Sequence, residues 1–174
     1  NKTAFKGGLD GAGYKISNLK ITGTADYIGL FGYCDGATLK NIQLKNANIS
    51  SSTYKYIGGL VGYATGTTSQ TILRCSVEGK ITGSGDYIGG LCGCVKNVAI
   101  QECYTNINIT ASTSDSLNVG GLVGYHQGKI QNCFSMGNVQ GNTRVGGILG
   151  NYGGYSSGSI VNSYSVAKVT GKSY

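Results

Sequence analysis

One phrase recurs five times along the chain: YIGLFGY from Tyr27, YIGGLVGY from Tyr56, YIGGLCGC from Tyr87, NVGGLVGY from Asn118 and RVGGILGN from Arg144. Its first apolar residues, Ile28, Ile57, Ile88, Val119 and Val145, stand 29, 31, 31 and 26 positions apart. A period of this size with some slack means stacked supersecondary units whose loops differ in length. Such units bury their apolar residues by lying on one another, so the repeat constrains the fold more than any other feature.

A second phrase follows each copy: TLKNIQL from Thr38, TILRCSV from Thr71, AIQECYT from Ala99, KIQNCFS from Lys129 and SIVNSYS from Ser159. In register these put Leu39, Ile72, Ile100, Ile130 and Ile160 in one column. Ile42, Cys75, Cys103, Cys133 and Ser163 form a second, and Ile49, Ile81, Ile109, Val139 and Val169 a third. From the second column onward the period is two: Cys75, Val77, Gly79 and Ile81 alternate with Ser76, Glu78 and Lys80. That alternation predicts a strand with one buried face. No segment keeps a helical stripe, and Gly, Asn, Ser and Thr mark the turns.

The predicted fold is all-β: a right-handed parallel β-helix, or β-solenoid, of about five coils of 26–31 residues. Residues 1–27 read as an N-terminal cap or half-coil and 28–174 as one continuous repeat domain. The right hand follows the general crossover preference. With 40% hydrophobic residues and only 12% charged, the 31 glycines serve a folded shape rather than disorder. Two glycine ladders are expected, Gly29, Gly58, Gly89, Gly120 and Gly146, and Gly32, Gly62, Gly93, Gly124 and Gly150. There a Cβ would either collide with a neighbouring coil or demand a forbidden φ. The absence of proline fits, because inner strands need every N–H.

G-G-L-V-G followed by I-x-x-C resembles the GLUG repeat, named for its Gly-Leu-any-Gly core. FKGGLDGAGYKISNLKI, Phe5 to Ile21, resembles the half-coil that introduces such arrays. The resemblance covers nearly the whole chain. The first copy departs, with Gly-Leu-Phe-Gly and Ile42 in the cysteine slot, and the last carries Ser163 there. Both deviants are terminal, as capping repeats tend to be. The repeat occurs in bacterial adhesin-like surface proteins and beside immunoglobulin A metallopeptidases. The resemblance thus implies an extracellular or cell-surface habitat and no defined chemistry.

Six cysteines in an exported chain raise the question of disulfides. Cys75, Cys103 and Cys133 share an inward column whose other members are Ile42 and Ser163, so they read as small buried free thiols. Stacked neighbours are close enough to bond but point the same way, and one disulfide is the alternative. Cys92 and Cys94 form C-x-C rather than C-x₂-C, so no metal and no cofactor are expected. The single histidine, His126, reads as a solvated turn residue. The seven acidic residues form no close pair; Asp26 and Asp86 share a turn position but lie two coils apart. Glycosidic cleavage needs two carboxyls at controlled separation, so no catalytic residues are assigned. A polysaccharide-active β-helix enzyme is the least favoured reading. Asp10 and Asp26 read as turn residues rather than Ca²⁺ ligands.

Tyr104, Phe134 and Tyr164 fall on the outward side of one strand in successive coils, and Tyr27, Tyr56 and Tyr87 form a second aromatic column. Such ladders stabilise parallel strands in any repeat array. Sheet stabilisation is the favoured reading; the alternative is a platform for sugar rings, which makes these six residues candidate ligand-binding positions. Asn1, Asn48 and Asn108 open Asn-x-Ser/Thr sequons, glycosylation sites in a eukaryotic secreted protein and ordinary turn vocabulary in a bacterium.

The net charge is +7, but the lysines are scattered singly, unlike the clusters of a nucleic-acid binder. Weak adhesion to acidic surfaces or glycans is the milder implication. No apolar run is long enough to insert directly into a membrane. The chain reads as an excised or mature piece of a longer surface protein: an adhesin-like module or stalk whose partners are glycans or host surface proteins. The alternative is a filament subunit that self-associates through its terminal coils.

Overall fold

A computed structural model describes residues 3–52, 55–67, 70–111, 118–153 and 158–172. Among these there are strands and turns and no helix, hence no helix long and apolar enough to cross a membrane. The first three full coils carry four short strands each, in the second coil Tyr56–Gly58, Val61–Thr65, Thr71–Leu73 and Ser76–Gly83, and in the last two coils the fourth strand is split in two. Equivalent strands of successive coils pair in parallel and build four sheets, called here I to IV in coil order. The chain is therefore a parallel β-solenoid of about five turns.

Registers match the repeat letter for letter except at one bulge, opposite Glu78. Tyr87 pairs with Tyr56 and with Asn118, and Cys92 with Val61 and with Val123. Ile72 pairs with Leu39 and Ile100, then Ile130 with Ile100 and Ile160, in one continuous column. The third runs Ile49, Ile81, Ile109, Val139, Val169. Upstream, Gly8–Asp10 pairs with Thr38–Lys40, while Lys15–Ser17 and Lys20–Gly23 pair with Gln43–Ser51. These strands lie as a half-coil on the first full one.

The core is the stack of inward columns, with Leu60, Leu91 and Leu122 filling the corner between sheets I and II. Fully burying a side chain of this class contributes about 1.5–3 kcal/mol. That corner also explains the glycine ladders. A Cβ on Gly58 would lie 2.2 Å from the Val61 carbonyl oxygen and 2.7 Å from the Gly93 nitrogen. One on Gly93 would lie 2.6 Å from the Gly62 oxygen and 2.7 Å from the Ile57 nitrogen. Sheets I and II thus touch backbone to backbone, and it is close approach rather than φ that demands glycine.

Left-handed backbone recurs at the corner between sheets III and IV. There Arg74, Glu102, Asn132 and Asn162 have φ of 51°, 52°, 54° and 48°. Each immediately precedes a member of the cysteine column.

Candidate functional site

The outward aromatic column stacks like coins. Tyr104 and Phe134 have ring centroids 5.0 Å apart with planes 3° from parallel, and Phe134 and Tyr164 are at 5.5 Å and 9°. The ring faces cover one another, so the column offers solvent mainly edges and hydroxyls. Tyr164, at the last coil, is 58% exposed. At the other end the Lys45 ammonium pairs with Glu78 and donates to the Tyr104 hydroxyl at 3.4 Å, while that hydroxyl donates to Glu78 at 3.2 Å. The Glu78 bond, foremost, raises the Lys45 pKa.

The second column is also stacked: Tyr27 on Tyr56 at 5.2 Å and 8°, and Tyr56 on Tyr87 at 5.2 Å and 10°. It interlocks with a neighbouring column, Tyr33, Tyr63 and Tyr125, which sequence reasoning did not single out. Tyr56 meets Tyr63 edge to face at 5.0 Å, and Tyr87 meets Tyr125 at 5.5 Å. Burial pushes the Tyr56 and Tyr63 hydroxyls up to about 12. The signal was present, since the last letter of the glycine phrase is Tyr in three copies and Cys94 in the third.

All six cysteines are free and buried. The column at the corner between sheets III and IV is more than filler. The Cys75 N–H donates to the Cys103 sulfur at 3.3 Å, the Cys103 N–H to the Cys133 sulfur at 3.4 Å, and the Cys133 N–H to the Ser163 hydroxyl at 3.0 Å. Each side chain in turn donates to the carbonyl two residues earlier, Cys103 to Gln101 at 3.1 Å and Ser163 to Val161 at 2.9 Å. Cysteine and serine interchange here because the corner needs a small group that both accepts and donates. Burial drives the Cys103 and Cys92 thiols well above their ordinary value, and Cys34 and Cys94 to about 12. The side-chain hydrogen bond with Cys103, foremost, lowers the Cys75 and Cys133 thiols, but both are buried and closed to a substrate.

His126 corrects the sequence reading. It is 0% exposed, in the strand Val123–Gln127, and stacks between Val95 and Tyr152 in the inward column that also holds Cys34 and Ala64. An aligned column of small and apolar residues, not the adjacent turn letters, was the deciding signal. Neither ring nitrogen has a hydrogen-bond partner among the described residues, and burial lowers the imidazole to about 4.

The carboxylates are mostly spent. Asp10 accepts from the Ala12 N–H at 2.9 Å and the Asn41 amide at 2.8 Å, and Lys40 lies at 3.2 Å. Led by the Asn41 bond, these contacts lower its carboxyl to about 2. Asp35 pairs with Lys6, and Glu102 with Arg74. Lys55 stands between Asp26 and Asp86, each backbone linked to the next coil. No group of three or more His, Cys, Asp or Glu able to hold a metal occurs among the described residues. Asn1 lies outside the described residues. Asn48 and Asn108 sit on an outward column of sheet IV that reads Lys20, Asn48, Lys80, Asn108, Asn138, Lys168.

The GLUG motif matches residues 53–82 and 115–140, two stretches that each run from the glycine phrase into sheet IV. The chain is a GLUG-motif repeat protein. Among similar proteins, halomucin from Haloquadratum walsbyi is 38% identical over 108 residues, 60% of this GLUG chain but 1% of halomucin. Immunoglobulin A1 protease from Streptococcus pneumoniae is 37% identical over 134 residues, 74% of this chain and 6% of that protein. The Streptococcus sanguinis protein of the same name is 36% identical over 120 residues, 68% and 6%. The GLUG chain thus spans only a small part of the curated relatives it matches. No solved structure matches it.

Proposed function

We propose that this chain is a non-catalytic, extracellular repeat module, adhesin-like, whose rigid solenoid presents its outward ladders as a binding surface. The carrying observation is the division of labour between faces. Groups with reactive chemistry, the thiols and His126, are buried, while outward columns run in register along the stack. Similarity to small portions of halomucin and immunoglobulin A1 protease supports a supporting rather than a catalytic role. A glycan array combined with immobilised host surface proteins tests the reading. Saturable binding without turnover is expected, and hydrolysis of any polysaccharide in a substrate panel would contradict it.

A second reading, end-to-end stacking, is favoured by the last coil. Ile160 is 47% exposed and Val169 41%, and both line a depression of about 750 Å³. In the register of the stack, a second copy would set Leu9 on Ile160, Ile21 on Val169 and Phe5 on Tyr152, with Lys15 over the open Tyr164 ring. Light scattering over a concentration series tests it. Concentration-dependent growth abolished by Ile160→Lys supports stacking, and a monomer at every concentration rules it out.

A further inference from the structure

The outward face of sheet IV is charged almost entirely one way. Its strands carry Lys15, Lys20, Lys45, Lys80 and Lys168 against one carboxylate, Glu78. Glu78 is already paired with Lys45. Lys20 and Lys80 have no carboxylate within ion-pair distance among the described residues, and both side chains are exposed.

These two lysines flank a groove. Pairing slips between Val77 and Gly79, so Lys45 and Asn46 oppose Glu78 alone. Asn46 takes up φ 54° and its amide donates to the Asn18 side-chain oxygen at 2.7 Å. Gly79, at φ 136°, brings its Cα so near Ala47 that a Cβ would lie 2.1 Å from the Ala47 oxygen. The bulge leaves a groove of about 510 Å³ lined by both lysines with Asn18, Asn46, Asn48 and Asn108; in the outward column Asn48 lies between the two lysines and Asn108 one rung past Lys80. Alongside runs a hydroxyl column, Thr22, Ser50, Thr82 and Thr110.

We propose that this groove binds a linear acidic polysaccharide lying along the solenoid axis. Lys20 and Lys80 are two rungs apart in one column, about 9.6 Å. A sugar ring is roughly as long as a rung is tall, so acidic groups on alternate sugars meet successive lysines. The Asn48 amide and the hydroxyl column then face the ring hydroxyls in between, able to donate and accept, and the Asn108 amide, whose oxygen accepts from the Asn138 N–H, continues the track one rung past Lys80. A nucleic acid fits worse. It relies on open aromatic faces for its bases, and here the aromatic faces stack on one another. The inference rests on the reading of the chain as an extracellular binding module and names its ligand class and face.

The test is affinity electrophoresis and titration calorimetry of the intact chain with polygalacturonate, heparin, neutral dextran and single-stranded DNA. Retardation by polygalacturonate, heparin or both, weakening with added salt, is expected; which of them binds separates carboxylate from sulfate as the acidic group. Lys20→Gln with Lys80→Gln should weaken that binding at least about tenfold with an unchanged circular dichroism spectrum. Lys129→Gln, on sheet III, should leave it intact. Three results overturn the inference: no binding to either acidic glycan, equal or tighter binding of single-stranded DNA, or indifference to the double substitution. A neutral glycan or host protein captured on the array in their place would leave the module reading standing and remove only the acidic ligand.

Discussion

At the corner between sheets III and IV a single sulfur atom does two jobs. It accepts the N–H of the coil before and donates to a carbonyl of its own coil. Cys103→Ala removes both and leaves the Cys75 N–H buried without a partner, a cost of about 1–3 kcal/mol. Cys103→Ser keeps the donor and acceptor, as Ser163 does naturally, and is expected to cost less. Urea denaturation of the two variants checks the order. His126 carries a pH signature. Its folded pKa, about 4, lies below the ordinary 6.5, so neutral imidazole is favoured by folding. The stability held above pH 6.5 is lost as pH falls from there towards 4, by roughly 3 kcal/mol for a shift of this size. His126→Val, matching Val95 in the coil before, should remove that slope from unfolding midpoints measured across the range.

At the scale of the strand, the glycine ladders let two sheets meet at backbone contact. Gly93→Ala drives a methyl group into the Gly62 carbonyl and the Ile57 nitrogen, neither of which can swing aside. Loss of cooperative unfolding by circular dichroism is expected, whereas Gly13→Ala, with nothing within 4 Å, should only suffer its positive φ. The fold was legible in the sequence because each inward column repeats an apolar letter at a fixed offset, so register could be counted. Burial of His126 was not read, because one polar letter in a column was judged by its chain neighbours instead of its partners above and below. The aromatic columns were legible as columns, but whether ring faces or edges meet water depends on side-chain torsion, which letters do not carry. The groove at Gly79 escaped for a related reason: it comes from a two-against-one mismatch between coils of unequal length.

At the scale of the molecule the coils form one continuous stack, so rigidity, spacing and surface chemistry share an origin. The proposed ligand track, the proposed end-to-end contact and the buried thiol ladder all depend on equivalent letters lying rung over rung. The native thiols are buried, so cysteines introduced on the outward column can be labelled selectively. The most direct measurement is therefore the electron–electron distance between nitroxides placed by Lys20→Cys and Lys168→Cys. These positions share a column five rungs apart. The expected result is a narrow distribution near 24 Å, within the reach of the labels, since about 4.8 Å separates rungs. A broad distribution, or one centred far from that value, would contradict the stack itself.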